Sequence, residues 1–229
     1  PFTPDQFSDV LVAYNESVWP AQLVWVALAL LAVALPLRPS IRSDRAIATI
    51  LGAMWIWMGV VYHWMFFARI NPAAIGFGGA FVLEGAMILI YGFRRDGLRF
   101  SIDRNVYGVI GWILVCYALV LYPLLGIVLG HRYPEQPTFG LPCPGTILTM
   151  GLLLWGKPKI PWVVLLIPVL WSIIGSSAVI LFGVMEDAVL PLAGLVGGGL
   201  ILLKNHRFDR DSSTSGRAAK ASVVPAAKE

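Results

Sequence analysis

The chain has 229 residues, 58% of them hydrophobic and 13% charged, about half the ~25% charged share of an ordinary soluble domain. So low a charge density excludes a conventional water-soluble domain. The sequence pI of about 9.3 would suit a nucleic-acid binder, but the basic residues fall between apolar runs, so no nucleic acid is expected as a partner.

Residues 1–19 come first. TPDQFSDVLVAYNESVW puts Phe7, Val10, Leu11, Tyr14 and Val18 at helical spacing. Thr3 with Gln6 three positions on reads as a capping box. The expectation is a short amphipathic helix on the outer membrane surface. Seven apolar runs follow, at roughly 20–37, 46–68, 72–93, 105–130, 143–156, 160–184 and 187–203. A bilayer core needs about 20 apolar residues per helix, which makes the fifth run short; the seventh is short and glycine-rich. The predicted fold class is all-α: an integral membrane helical bundle of seven transmembrane helices over 20–203. Residues 204–229 are polar, small and charged, and read as a disordered cytoplasmic tail.

The charges orient the bundle. Alternate connections hold Arg38, Arg42 and Arg45; then Arg94, Arg95, Arg99 and Arg104; then Lys157 and Lys159; the tail holds six more Lys and Arg. Fifteen basic residues thus lie on one side, against Arg69 and Arg132 on the other. The positive-inside rule places the N-terminus outside and the C-terminus in the cytoplasm.

Ionisable groups inside a bilayer are functional candidates by default. Glu84 lies twelve residues past Pro72, about 18 Å along its helix at 1.5 Å per residue, among Gly76, Gly78, Gly79 and Gly85. It reads as a site for a small solute, an ion or a proton. His63, Asn71 and His131 belong to a polar layer near the outer ends of the helices and complete the expected substrate-binding set. Asn71-Pro72 also ends a loop and starts a helix. His63, His131 and Cys143 offer nitrogen and sulfur donors to a metal or haem, although no HxxxH, HExxH or CxxC spacing is present. Trp19, Trp64 and Trp162 fit an interfacial belt. Trp55 and Trp171 read as lipid-facing or packing residues. Pro123 and Pro168 should kink their helices, with Ser172, Ser176 and Ser177 able to satisfy freed carbonyls. Gly194 and Gly198 form a GxxxG packing face.

Three stretches carry a family resemblance: FTPDQFSDVLVAYNESVWPAQ, YHWMFFARINPAAIGFGGAFVLEGAMIL, and YPEQPTFGLPCPGTILTMGLLLW with IPVLWSIIGSSAVILFG. Over residues 2 to 203 the chain resembles small bacterial multi-pass membrane proteins known as domain of unknown function 6064. The resemblance implies the fold and the compartment, and no catalytic residues. The functional expectation is binding or transport of a small solute or ion around Glu84. Two alternatives stand beside it. One is a metal- or haem-binding membrane enzyme using His63, His131 and Cys143. The other is an accessory subunit held in a homo-oligomer or larger membrane complex by the small-residue faces of its helices.

Overall fold

The structure, a computed structural model, describes residues 2–222, with the backbone alone at 211–213 and 215–222. It is helical throughout, apart from a two-stranded pairing. Helix α1 (Pro4–Val18) starts on the capping box expected from sequence: Thr3 Oγ1 accepts from Gln6 N, and Gln6 Oε1 accepts from Thr3 N. A bend of 82° at Trp19-Pro20 separates α1 from α2 (Ala21–Leu37). Next come α3 (Ile41–Arg69), α4 (Ala74–Phe93), α5 (Val106–Val128), α6 (Pro142–Leu154), α7 (Trp162–Phe182) and α8, which starts at Met185 and runs on to Ser222. The boundary expected at residue 204 therefore lies inside a helix, and residues 223–229 of the expected tail lie outside the described residues.

Local chemistry sets several helix starts. Ser40 and Ser43 cap α3 reciprocally. Asn105 Oδ1 accepts from Tyr107 N and Gly108 N at the head of α5. Asn71 Oδ1 accepts from Ala73 N just before α4, which is the loop-ending role expected of it. Gly183, at φ 72°, ends α7 in the left-handed region that glycine adopts without a Cβ clash. Beyond Pro168, Ser172, Ser176 and Ser177 each donate to the carbonyl three residues back, at 2.7 Å; these are the Val169, Ile173 and Ile174 carbonyls, not the Val164 carbonyl four residues before the proline that loses its helical donor.

Five helices are long and apolar enough to cross a membrane: α3, α4, α5, α7 and the Met185–Arg210 part of α8. The bent pair α1–α2 makes a sixth if counted as one span. The count of seven is thus not reached by length. The helix that falls short is α6, whose 13 residues rise only about 20 Å against a core of about 30 Å. The reason is its position. Every residue of α6 except Cys143 is buried, so its surroundings are other helices and it need not match the lipid thickness. Thr149 in α6 accepts from Trp55 Nε1 of α3 at 3.0 Å.

The basic residues gather at one end of the bundle. There β1 (Arg99–Phe100) pairs antiparallel with β2 (Gly156–Lys157), Asp44 accepts from Phe100 N at 2.8 Å, and Lys157 pairs with Asp103 at 2.6 Å. Lys204 Nζ donates to the carbonyls of Leu154 and Gly156. The opposite, far end holds α1 and the 131–141 loop.

Packing of α3 on α4 depends on glycine. A Cβ on Gly85 would lie 2.6 Å from the Gly52 carbonyl oxygen and 2.7 Å from Ile56 Cγ1. The Gly52 carbonyl and the Ile56 amide nitrogen, at 3.1 Å, are backbone atoms that cannot turn away. Gly85→Val is therefore expected to destabilise the protein by about 1–3 kcal/mol, read as a lower melting temperature in detergent. Gly194 and Gly198 of α8 likewise let Ser172 and Val169 of α7 approach, since a Cβ would meet them at 1.7 and 2.9 Å. The GxxxG face is a packing face, as expected. The tryptophans divide in a similar way: Trp19, Trp64 and Trp162 are exposed near helix ends, whereas Trp55 and Trp171 are buried packing residues.

Candidate functional site

The far end contains a cavity of about 290 Å³, close to the lower end of the range for ligand pockets. Its roof is the start of α1, where Phe7 stacks on Phe182 of α7 at 4.6 Å between ring centroids and Phe2 stacks on the same ring at 5.1 Å. Its walls are mostly aromatic: Tyr62 and Phe67 of α3, Phe77 of α4 and Trp171 of α7. Its polar surface comes from Asp187, Tyr122, Cys143, Asn71 and Ser177.

Asp187 is the centre of that polar surface. It sits in the short 3₁₀ turn Met185–Val189 that opens α8 and is 2% exposed. Tyr122 donates its hydroxyl to Asp187 Oδ1 at 2.6 Å, and the Cys143 thiol lies beside the carboxylate. The neighbouring Glu186 is fully buried. Its Oε1 meets His131 Nδ1 at 2.8 Å, and its backbone carbonyl accepts from Tyr117 OH at 2.7 Å. Tyr117 and Tyr122 bracket the π-helical stretch Tyr117–Leu121, and Tyr62 and His63 lie in the longer one at Met58–Phe66. Such wide turns rotate side chains off the regular helical face and recur at functional sites.

A second polar cluster holds α1 in place. Asn15 is fully buried. Its Nδ2 donates to the carbonyls of Pro134 (2.6 Å) and Gln136 (2.9 Å), and its Oδ1 accepts from Thr138 Oγ1 (2.6 Å). Tyr14 donates to the Gly140 carbonyl and accepts from Trp57 Nε1. The proline-rich 131–144 loop is thereby fastened to α1 and forms one side of the cavity.

The residues singled out from sequence scatter over this arrangement. Cys143 and Asn71 line the cavity. His131 belongs to the Glu186 pair behind it. His63 is fully buried just outside the wall, its ring 5.1 Å from Trp171 and 4.6 Å from Phe81. Glu84 is fully buried on α4, one turn beyond Phe81, and lines neither this cavity nor the two others at the surface. Among the described residues, both ring nitrogens of His63 and both carboxyl oxygens of Glu84 lack a hydrogen-bond partner. The grouping of His63, His131 and Cys143 expected for a metal is not assembled. His63 is surrounded by aromatic rings and His131 faces Glu186. No three His, Cys, Asp or Glu side chains among the described residues come together as a metal cluster. The small-residue face of α4 is also divided. Gly78 and Gly85 pack internally, and only Gly76 and Gly79 face open space.

Glu186 and Asp187 have no role assigned from the sequence. Tyr122 and Asn15 are missed altogether. The available signal was a tyrosine immediately before Pro123 in an apolar run, and an asparagine on the otherwise apolar stripe of α1.

Among the described residues, five helices long and apolar enough to cross a membrane and one short, largely buried helix make an all-helical protein compatible with a lipid bilayer, with a mostly apolar pocket at one end. The chain belongs to the family of unknown function DUF6064, whose family model matches residues 4–213. No curated protein matches it, and neither does any solved structure.

Proposed function

We propose that this protein crosses a bacterial inner membrane seven times, with its N-terminus outside and its C-terminus in the cytoplasm, and binds a small solute reached from the outer face. The orientation follows from the fifteen-to-two division of basic residues. The seventh pass is α6, which runs from Cys143 at the far-end cavity to the β2 pairing at the basic end. The observation that carries the function is the cavity: an aromatic chamber at the outer end with a buried carboxylate, a phenol and a thiol converging on one side. Apolar walls with a few convergent polar groups are the form of a small-molecule site. Glu84, buried and unpaired beyond Phe81, supports an onward step in which the solute or a coupled ion moves toward the cytoplasm.

Cys143 offers the test. In a Cys116→Ala background, a small membrane-impermeant thiol reagent added to intact cells is expected to label Cys143, since the thiol lines the cavity. Labelling in inverted vesicles but not in intact cells would reverse the orientation. Labelling in neither, with full reaction after denaturation, would mean that the cavity is closed to both faces and would sink the solute-binding reading.

A further inference from the structure

The cavity also indicates the charge of what it takes. We propose that the far-end cavity binds a small organic cation, a protonated amine with an apolar or aromatic body; this rests on the solute-binding reading above.

The argument starts from Asp187. A carboxylate taken out of water is costly unless it is paired. Tyr122 gives it one hydrogen bond and the Cys143 thiol a second, but among the described residues no Lys, Arg or His lines the cavity. The next ionisable group is Glu186, another carboxyl, and the His131 contact is made to Glu186 rather than to Asp187. An acidic group thus faces a mostly apolar chamber with no cation beside it among the described residues. Aromatic faces are the second observation. Tyr62, Phe67, Phe77 and Trp171 line the same cavity, and ring faces attract ammonium groups, the more so when both are desolvated.

An anion is disfavoured by the same wall. A helix N-terminus ordinarily offers amide N–H groups to anions, and α6 begins at the cavity. Its first and third residues, Pro142 and Pro144, have no N–H, and the Gly145 N–H is taken by the Leu141 carbonyl at 3.2 Å. A neutral apolar solute would suit the walls but would bring Asp187 no counter-charge beyond its Tyr122 and Cys143 hydrogen bonds. The volume of about 290 Å³ confines the ligand to a small molecule, and the clasp of Phe2 and Phe7 over Phe182 favours a compact one.

Three matched probes separate the cases: benzylamine, benzyl alcohol and benzoate, added to the full-length protein purified in detergent. Binding is read as a rise in melting temperature and as protection of Cys143 from alkylation. Benzylamine is expected to raise the melting temperature and slow alkylation, with the alcohol weaker and benzoate inert. Asp187→Asn is expected to weaken benzylamine binding by about thirtyfold or more, as for loss of one partner of a desolvated charge pair, and to leave the alcohol unchanged. Should Asp187→Asn not fold, the ranking of the three probes on the unmodified protein decides alone. Equal binding of amine and alcohol would overturn the cation assignment and leave the cavity as a solute site. Binding of none of the three would overturn it too. A Cys143 that no reagent reaches from outside marks failure of the underlying solute-binding reading instead.

Discussion

Asn15→Leu is expected to destabilise the protein by on the order of 3 kcal/mol, the largest loss of any single change considered. Leucine keeps the branched shape of asparagine but has no polar atom. What disappears is the Nδ2 group that donates to both the Pro134 and Gln136 carbonyls. Each buried acceptor left without a donor costs about 1–3 kcal/mol, and water has no ready route to a side chain that is fully enclosed. Thr138 loses its acceptor as well, at less cost because its hydroxyl can turn. Thermal unfolding in detergent measures the effect. Thr138→Val serves as the graded control and should give a clearly smaller loss. Equal losses for the two variants would show that Asn15 acts through packing alone.

The second large effect has the opposite sign. Glu84→Met is expected to raise stability by about 1–3 kcal/mol, read as a higher melting temperature in the same detergent. Glu84 is buried in the bundle, and neither of its carboxyl oxygens finds a donor among the described residues. Methionine is of similar length and flexible enough to fill the space, and it removes two unsatisfied polar atoms. Glu84→Gln should give no such gain, since an amide buried in the same place is equally unsatisfied. A protein that retains a destabilising group does so where function requires it; the gain and the sequence-based interest in Glu84 have the same origin. A melting temperature that falls in Glu84→Met would show that the carboxyl is answered by water or by a partner, and would withdraw it as an onward site.

Much of the architecture is legible in the sequence because long apolar runs announce their helices directly. The apolar runs place the helices, the Thr3–Gln6 capping box places the start of α1, and the arginine clusters identify one end of the bundle. The short length of α6 has no separate mark in the sequence, because hydropathy cannot distinguish a helix that faces lipid from one that faces only other helices. In α6 the residues are equally apolar on every side, whichever neighbour they meet. The candidate site was less legible. Glu84 and His63 stand out in a linear reading because a charge or an imidazole in an apolar run is conspicuous. Asp187 does not, because it lies at a loop–helix junction where carboxylates are common. Its importance comes from Tyr122, which is 65 residues away, and from Cys143. Their convergence depends on how α5, α6 and α8 pack, and no local pattern encodes that. The π-helical turns that rotate Tyr62 and Tyr117 inward are similarly silent in the sequence, since nothing marks them in advance except a nearby proline.

The bend between α1 and α2 gives the protein an optical reporter of its own. Trp57 donates its indole N–H to the Tyr14 hydroxyl at 2.9 Å and lies 5.6 Å from Trp25. Tyr14 moves with α1, whereas Trp57 and Trp25 belong to α3 and α2. If α1 swings about Trp19-Pro20 to admit a solute, the phenol leaves the indole and the emission of Trp57 changes without any attached dye. Tyr14→Phe removes that hydrogen bond and keeps the ring, so it fixes the emission of the uncoupled state. Whether the roof is raised or seated at a given solute concentration then becomes a question for a fluorimeter.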